Sequence, residues 1–426
     1  MVLKWIHRNI EAFGGDPNHV TVWGHSSGSV ICHLLTLIPA TRGLIHKAIL
    51  QGAVFTGYCP DLLYSVGFKN GFHIASRLGM ESNGPVKVLK FLRYTPGEEL
   101  IAWRLPINTN HSNDNKESIC QSIFCPDSMI PESTFEVLAS NIREYGPVFD
   151  ALYTKDPVIP LPLAELLEND TNIPIIIEYV RHEKSHLFQE FVELKNNISM
   201  NYETISSPLD TRRKHFIHLT DKFIDKTYKY FDKHVDSMVR NLLPLKHPGT
   251  FPDIMRMMRK FYFDNHPINE GSVWNLINSV TDLYFINQNR KAIDNRNKYA
   301  NTPTCVYNFS YMGDVPTIYH SETRPQPLKG TTILLPFRYL ELTNQCPQEG
   351  SKDRIMMERF LRMWFNFAAI GDPTPMLDPQ IITSTWTPSN KQTLHYLDIG
   401  DQLITCSDKD SRSRKIHEEI SHLLIY

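Results

Sequence analysis

The sequence lacks several features that would mark a membrane, secreted or nucleic-acid-binding protein. No stretch of about 18 apolar residues is present, so we predict no helix that crosses a bilayer. The first twenty residues contain charged side chains and no continuous apolar core typical of a signal peptide, so the sequence assigns no compartment. The seven cysteines include no CxxC pair, and their odd number argues against a complete disulfide framework. A net charge of -2 gives no attraction to nucleic acid or to an anionic membrane.

The composition is that of a globular protein. Of the 426 residues, 41% are hydrophobic and 21% are charged, which supplies enough apolar material for a large buried core. The length would allow two or three domains, but large α/β folds hold as many residues in one unit. No repeat, low-complexity segment or clear linker divides the chain, so we predict a single domain over residues 1–426.

Short apolar strands alternate with helices near the start of the chain. Val20–Trp23 is apolar on both faces, as a central parallel strand should be, and a helix is predicted over Val30–Leu37 before the next strand at Lys47–Gln51. This order calls for a parallel sheet flanked by helices. Spacings of three and four residues also predict an earlier helix whose apolar face carries Leu3, Ile6, Ile10 and Phe13. Later strands are predicted at Pro174–Val180, Cys305–Tyr311 and Leu394–Ile399.

The sequence Gly24-His25-Ser26-Ser27-Gly28 lies between the first predicted strand and its helix. A G-x-S-x-G turn in this context presents a serine at the end of a sharp strand-to-helix reversal, and its glycines leave room for close packing. Ser26 is therefore the candidate nucleophile. The backbone amide of the next residue, Ser27, is the candidate donor to the oxyanion that forms when an ester carbonyl is attacked.

The segment Phe13–Gly28 resembles the signature of the type-B carboxylesterase/cholinesterase family, and local detail most resembles its insect α-esterase branch. Further similar segments run almost to the end of the chain, at Trp5–Ile10, Gly43–Gln51, Tyr145–Val148, Trp364–Pro373, Trp386–Pro388 and Tyr396–Ile399. The resemblance implies an α/β-hydrolase fold in one carboxylesterase domain, with a central, mostly parallel sheet flanked by helices. It implies a small-molecule carboxylic ester as substrate and no metal ion or organic cofactor.

The family also needs an acid and a histidine base, in the chain order serine, acid, histidine. The resemblance places the acid at Glu183, although the neighbouring residues depart from the family pattern. It places the base at Thr331, and threonine cannot take a proton from Ser26 near neutral pH. The nearest substitute is His320, eleven residues upstream. We therefore take Ser26, Glu183 and His320 as the candidate catalytic residues.

Two other features of the family pattern are missing from the sequence. The family places a hydroxyl residue that braces the acid just after the strand ending near Gln51, where this chain has Gly52-Ala53-Val54. The family's glycine-rich oxyanion loop should precede Ser26, and no such run is present. From these departures we expect a piece of a longer fold that lacks its N-terminal strands.

Two functions remain open from the sequence. The first is a carboxylic-ester hydrolase that forms an acyl-enzyme on Ser26 but turns over poorly or not at all, because the base position holds Thr331. The second is a non-catalytic relative that uses the esterase fold for binding, sequestering or adhesion. The retained serine favours the first function and the altered base position favours the second.

Overall fold

The computed structural model describes the chain in separate ranges. These are residues 1–55, 71–81, 84–102, 149–151, 154–168, 172–178, 248–272, 286–311 and 346–407, with single positions or short runs between 229 and 282 and between 416 and 423. The predicted sites at Glu183, His320 and Thr331 lie outside the described residues. The chain divides into two compact units, one formed by Met1–Gly57 with Leu163–Tyr426 and the other by Tyr58–Pro162.

The first unit is built on one six-stranded sheet. Its strands are β1 (Thr21–His25), β2 (Lys47–Gln51), β3 (Ile175–Glu178), β4 (Thr304–Phe309), β5 (His395–Ile399) and β6 (Leu403–Ser407). They are hydrogen-bonded in chain order, with β1 to β5 parallel and β6 antiparallel to β5. This confirms the predicted fold class, a mostly parallel sheet flanked by helices. No sequence pattern predicted β6, which follows β5 through a short turn.

Helices connect and cover these strands. In the first unit they are α1 (Val2–Asn9), α2 (Ser27–Leu37), α5 (Leu163–Glu168), α6 (Phe251–Phe263), α7 (Asn287–Tyr299) and α8 (Lys352–Ile370), and the second unit contains α3 (Pro85–Tyr94) and α4 (Gly97–Ala102). The 3₁₀ turn Ile10–Phe13 extends α1, and Gly14 ends it with a φ of 79°. That left-handed conformation is one that glycine adopts without a steric penalty.

The central strands are buried on both faces because helices cover both sides of a parallel sheet. Every residue of β2 and β3 is buried, including Lys47 and Glu178. The register joins Ala48 to Ile175 and Ile175 to Thr304, so apolar side chains stack in rows across neighbouring strands. The sheet core is thus continuous from β2 to β4.

One face of the sheet packs against α8. Tyr307 lies edge-on to Trp364, with ring centroids 5.2 Å apart, and Trp364 stacks on Phe360 at 3.7 Å. Trp386 joins this group and donates its indole N–H to the carbonyl of Val306 at 2.8 Å. The buried polar end of the tryptophan is therefore satisfied by the strand that it covers.

The opposite face of the sheet packs against α7. Ala292 and Ile293 lie in one buried cluster with Leu50, Ile177 and their neighbours on adjacent strands. Arg296, 1% exposed, anchors the end of this helix by donating to the carbonyl of Ile173 at 2.7 Å and to the Thr304 hydroxyl at 3.1 Å. These bonds tie α7 to the starts of β3 and β4. No helix in the described ranges is long and apolar enough to span a membrane.

Two phenylalanines on α8 provide a matched test of this packing. Phe367 is fully buried against the sheet, whereas Phe365 is 71% exposed. Phe367→Ala should lower the free energy of unfolding by about 3–5 kcal/mol, because it removes buried contacts and leaves a cavity. Phe365→Ala should change it by less than about 0.5 kcal/mol. Chemical denaturation measures both, and equal losses for the two variants would contradict the described orientation of α8.

Candidate functional site

Ser26 occupies the sharp reversal between β1 and α2. Its φ of 55° and ψ of -122° are unusual for a residue with a side chain, and it is one of three non-glycine residues with positive φ in the described chain. A conformation of this kind costs about 1–3 kcal/mol and persists only where surrounding contacts fix it. One such contact is the Ser26 amide, which donates to the carbonyl of Gln51 at the end of β2, at 2.8 Å. The half-buried serine is therefore held at the carboxyl edge of the sheet.

Glycine at position 24 permits the reversal. A Cβ atom on Gly24 would lie 2.3 Å from the carbonyl oxygen of Gly28, far inside van der Waals contact. Gly28 differs, because a Cβ atom there would meet no described atom within 4 Å. The prediction that both glycines relieve close packing is thus supported for Gly24 alone. Gly28 contributes its backbone carbonyl to this contact. No described neighbour requires position 28 itself to lack a side chain.

The start of α2 leaves backbone amides near Ser26. The carbonyl of Ser26 accepts the N–H groups of Ser29 and Val30, at 3.0 and 3.1 Å. Ser27 is the first residue of the helix, and within the described part of the chain its amide has no acceptor. The first amides of a helix carry partial positive charge and attract anions. This position is compatible with the predicted oxyanion role of Ser27, which remains a prediction.

Two side chains of α2 hold the loop that follows β2. The Ser29 hydroxyl donates to the carbonyl of Ala53, and the Phe55 amide donates to Nδ1 of His33 at 2.9 Å. Both α2 side chains are fully buried. The Gly52-Ala53-Val54 run lacks the hydroxyl residue that the resemblance implies. Its backbone is bonded at Ala53 to the Ser29 hydroxyl, and the residue after the run, Phe55, is bonded to His33.

His33 is neutral in the folded protein. Burial lowers the pKa of His33 to about 3, and the nearby positive charge of Arg296 acts in the same direction. Because Nδ1 accepts the Phe55 amide, the neutral ring carries its proton on Nε2. Protonating Nδ1 would remove this acceptor and place a charge in the core. His33 is therefore suited to fix the loop and unsuited to act as a base near neutral pH.

A buried amide connects β1, β2 and β4 beneath the site. The Gln51 side chain accepts the indole N–H of Trp23 and donates from Nε2 to the Tyr307 hydroxyl at 2.6 Å. The same residue accepts the Ser26 amide through its backbone carbonyl. Gln51 is fully buried, so it positions the nucleophile from within the sheet and does not contact solvent. Sequence patterns identified neither Gln51 nor His33, although both are polar residues inside apolar segments.

The structure brings Ser26 and Ser27 together and does not describe the other predicted site residues. β3 ends at Glu178, five residues before Glu183, and β4 ends at Phe309, eleven residues before His320. The carboxyl ends of parallel strands lie at the same edge of a sheet. The segments that contain the candidate acid and base thus begin at the edge where Ser26 lies. Their catalytic roles stay predictions.

Comparison with known proteins gives consistent results. A model described as the carboxylesterase family matches residues 1–415. Esterase FE4 of Myzus persicae is 25% identical over 381 residues, covering 87% of this chain and 56% of that protein. Bile salt-activated lipase of Bos taurus is 23% identical over 433 residues, covering 99% of this chain and 59% of that protein. The chain therefore spans little more than half the length of these relatives.

A solved structure gives the same result for the fold. Juvenile hormone esterase from Manduca sexta superposes with a TM-score of 0.65 at 19% sequence identity, over 99% of this chain and 68% of that chain. An identity this low supports the fold and leaves the substrate open.

The turn Gly24–Gly28, here called the elbow, contains two glycines whose roles substitution should separate. Gly24→Ala should prevent folding or lower the free energy of unfolding by about 3 kcal/mol or more, because the new methyl group meets fixed backbone. Gly28→Ala should be neutral or stabilise by up to about 1 kcal/mol, since alanine favours a helix. Denaturant unfolding of both variants tests this, and equal destabilisation would contradict the described elbow.

The buried histidine predicts a loss of stability in acid. The pKa of His33 is 6.5 in the unfolded chain, the ordinary value for histidine, and about 3 in the folded protein. Between these two pH values the unfolded chain binds a proton at His33 and the folded chain does not. The free energy of unfolding should therefore fall by up to about 1.4 kcal/mol per pH unit as the pH drops through this range. His33→Gln, measured by denaturant unfolding from pH 8 to 3.5, should show a slope shallower by one proton. Parallel curves for the two proteins, offset only by their difference at pH 8, would contradict this role.

Proposed function

Because the chain belongs to the carboxylesterase family, we propose that it reacts with carboxylic esters through an acyl-enzyme on Ser26. The observation that supports this most directly is the backbone of Ser26, held at φ 55° and ψ -122° between β1 and α2. This conformation presents the hydroxyl where the first amides of α2 can contact a developing oxyanion. A serine with only a structural role would not require this unfavourable backbone conformation.

The proposed reaction has two steps. The Ser26 oxygen bonds to the ester carbonyl carbon, the alcohol leaves with a proton, and the acyl group remains on Ser26. Water then attacks the acyl carbon, the carboxylic acid leaves, and the proton returns to Ser26. In this proposal Ser27 donates its backbone amide to the oxyanion, Glu183 orients the base and His320 is the candidate base.

We expect both steps to be slow in this chain. The same base activates Ser26 in the first step and water in the second, and Thr331 occupies the position that the family resemblance assigns to it. A positioned general base contributes about 10²–10⁴-fold to a rate. Slow deacylation favours a second candidate function, in which the protein sequesters reactive esters as a stable acyl-enzyme.

Two neighbouring serines provide a matched test of the nucleophile. Ser26→Ala should abolish both hydrolysis of p-nitrophenyl butyrate and labelling by a fluorophosphonate probe. Ser27→Ala keeps the proposed backbone donor and removes an exposed hydroxyl, so it should retain labelling and rate within about threefold, less than 1 kcal/mol. Probe attachment located on Ser26 by peptide mass spectrometry would support the proposal. Equal labelling of wild type and Ser26→Ala would contradict it.

Burst kinetics distinguish the two candidate functions. A hydrolase gives continuing turnover after the first equivalent of p-nitrophenol, whereas a sequestering protein stops near one equivalent per chain. Mass spectrometry should then find a persistent butyryl group on Ser26. If the protein releases no p-nitrophenol and Ser26 carries no butyryl group, Ser26 does not react with the ester. That result would favour a binding role for the fold.

The base assignment predicts a gain of function. Thr331→His should raise kcat/KM for p-nitrophenyl butyrate by at least about 100-fold, because it supplies a group that can accept the Ser26 proton. Thr332→His is the matched control and should give no such gain. If His320 is the base, His320→Ala removes the residual turnover of the wild type. Turnover that is unchanged in His320→Ala and in Thr331→His would refute both placements.

A further inference from the structure

Gln51 is held by side chains from two other strands, β1 and β4. The indole N–H of Trp23 bonds to the Gln51 side chain. Because an indole can only donate, Oε1 of Gln51 is the acceptor, and Nε2 is the group that donates to the Tyr307 hydroxyl at 2.6 Å. The amide thereby connects β1, β2 and β4, although β3 lies between β2 and β4.

The bond from Gln51 to Tyr307 crosses over the end of β3. Leu50 of β2 pairs with Ile177 of β3. The next residue of β3, Glu178, pairs with Tyr307 of β4. Gln51, Glu178 and Tyr307 therefore lie in one row at the carboxyl edge of the sheet. Strands two apart in a sheet are separated by about 10 Å, so two long side chains are needed to meet across β3. The bond thus fixes the end of β2 against a strand that is not its neighbour.

The ring of Tyr307 is fixed within the core. The residue is fully buried. Its ring lies edge-on to Trp364, with centroids 5.2 Å apart and an interplanar angle of 83°, and edge-on to Trp386 at 5.7 Å and 78°. Edge-on contacts are a favourable geometry for aromatic pairs. The hydroxyl is therefore presented to Gln51 from a rigid position.

We propose that Tyr307 is a positioning residue for Ser26 and acts through Gln51. The Gln51 carbonyl accepts the Ser26 amide at 2.8 Å, and the positive φ of Ser26 persists only where such contacts fix it. Without the Tyr307 hydroxyl, Nε2 of Gln51 is a buried donor that has lost its acceptor, which is unfavourable. The side chain then turns away, and the peptide that holds Ser26 moves with it. The effect on reactivity rests on the proposed acyl-enzyme, whereas the effect on the backbone does not.

Two buried tyrosines near the end of β4 provide a matched test. The Tyr311 hydroxyl donates to Asp353 of α8 at 2.6 Å, and both tyrosines belong to the same buried cluster. Tyr307→Phe should lower the second-order rate of fluorophosphonate labelling at Ser26 by about tenfold, because one hydrogen bond of ordinary strength is lost from the contacts that hold the serine. Tyr311→Phe loses a bond of the same length and should label within about threefold of the wild type. Denaturant unfolding should first show that both variants are folded under the labelling conditions.

Hydrogen exchange tests the backbone effect independently of ester chemistry. The Ser26 amide should exchange about tenfold faster in Tyr307→Phe, because its bond to the Gln51 carbonyl opens more readily. In Tyr311→Phe its exchange should stay within about threefold of the wild type. Mass spectrometry with electron-transfer fragmentation resolves this amide. If the probe does not label the wild type, the proposed ester chemistry fails, and the exchange result alone decides the role of Tyr307.

A double-mutant cycle tests the route through Gln51. Gln51→Leu removes the Nε2 donor and should slow labelling as Tyr307→Phe does, and it replaces that variant if Tyr307→Phe does not fold. In the Gln51→Leu background, Tyr307→Phe should cause no further loss. Additive losses would show that Tyr307 acts by another route and would overturn the proposal. Equal losses in Tyr307→Phe and Tyr311→Phe would also overturn it, as would wild-type labelling and exchange in a folded Tyr307→Phe or Gln51→Leu.

Discussion

The backbone contact between Gly24 and Gly28 is the constraint on which the candidate site depends. A strand can turn directly into a helix only if its last residues approach the first helical turn, and here a Cβ on Gly24 would lie 2.3 Å from the Gly28 carbonyl oxygen. This approach forces the intervening Ser26 to a positive φ and directs the next amides toward the carboxyl edge of the sheet. The Gln51 carbonyl then fixes the Ser26 amide, so the geometry of the nucleophile is set by sheet and helix packing.

The regular elements of the sheet were predictable because each is a short apolar run bounded by turn residues. The prediction at Lys47–Gln51 coincides with β2, which is buried on both faces as a central parallel strand should be. The prediction at Leu394–Ile399 begins one residue before β5, which is only partly buried. β6 was missed because all of its residues except Leu403 are at least partly exposed, so its composition resembles that of a surface loop. The helix at the start of the chain was also predicted from its apolar spacing. Yet α1 contains no buried residue, so periodicity identified the helix and not its packing.

The candidate site was predictable to the extent that one local motif defines it. Ser26 and Ser27 follow from G-x-S-x-G and its flanking elements, because the turn is a short-range constraint. His33 and Gln51 could not be found in this way, since their roles depend on a partner at Phe55 or Tyr307 that only the folded chain brings near. Glu183 lies in the long connection from β3 to β4, and His320 lies in the connection from β4 to β5. Positions in long connections are less constrained by local sequence than positions in a tight turn. The assignment of Glu183 therefore rests on resemblance to the family in a segment that departs from the family pattern. The assignment of His320 rests on its being the nearest histidine to the base position, which holds Thr331.

The described conformation of Ser26 does not depend on the residue at the proposed base position, so it is consistent with the proposal that Thr331 stands there. The conformation of Ser26 is imposed by Gly24, Gln51 and α2, and none of these contacts involves the base. If Thr331 occupies the base position, as proposed, proton transfer would be lost from acylation and deacylation alike, while the proposed oxyanion position at α2 would be kept. A reactive ester brings a good leaving group to the first step, whereas the second step always requires attack by water. Under that proposal the second step is the slower one, and acyl groups should accumulate on Ser26 faster than they are released.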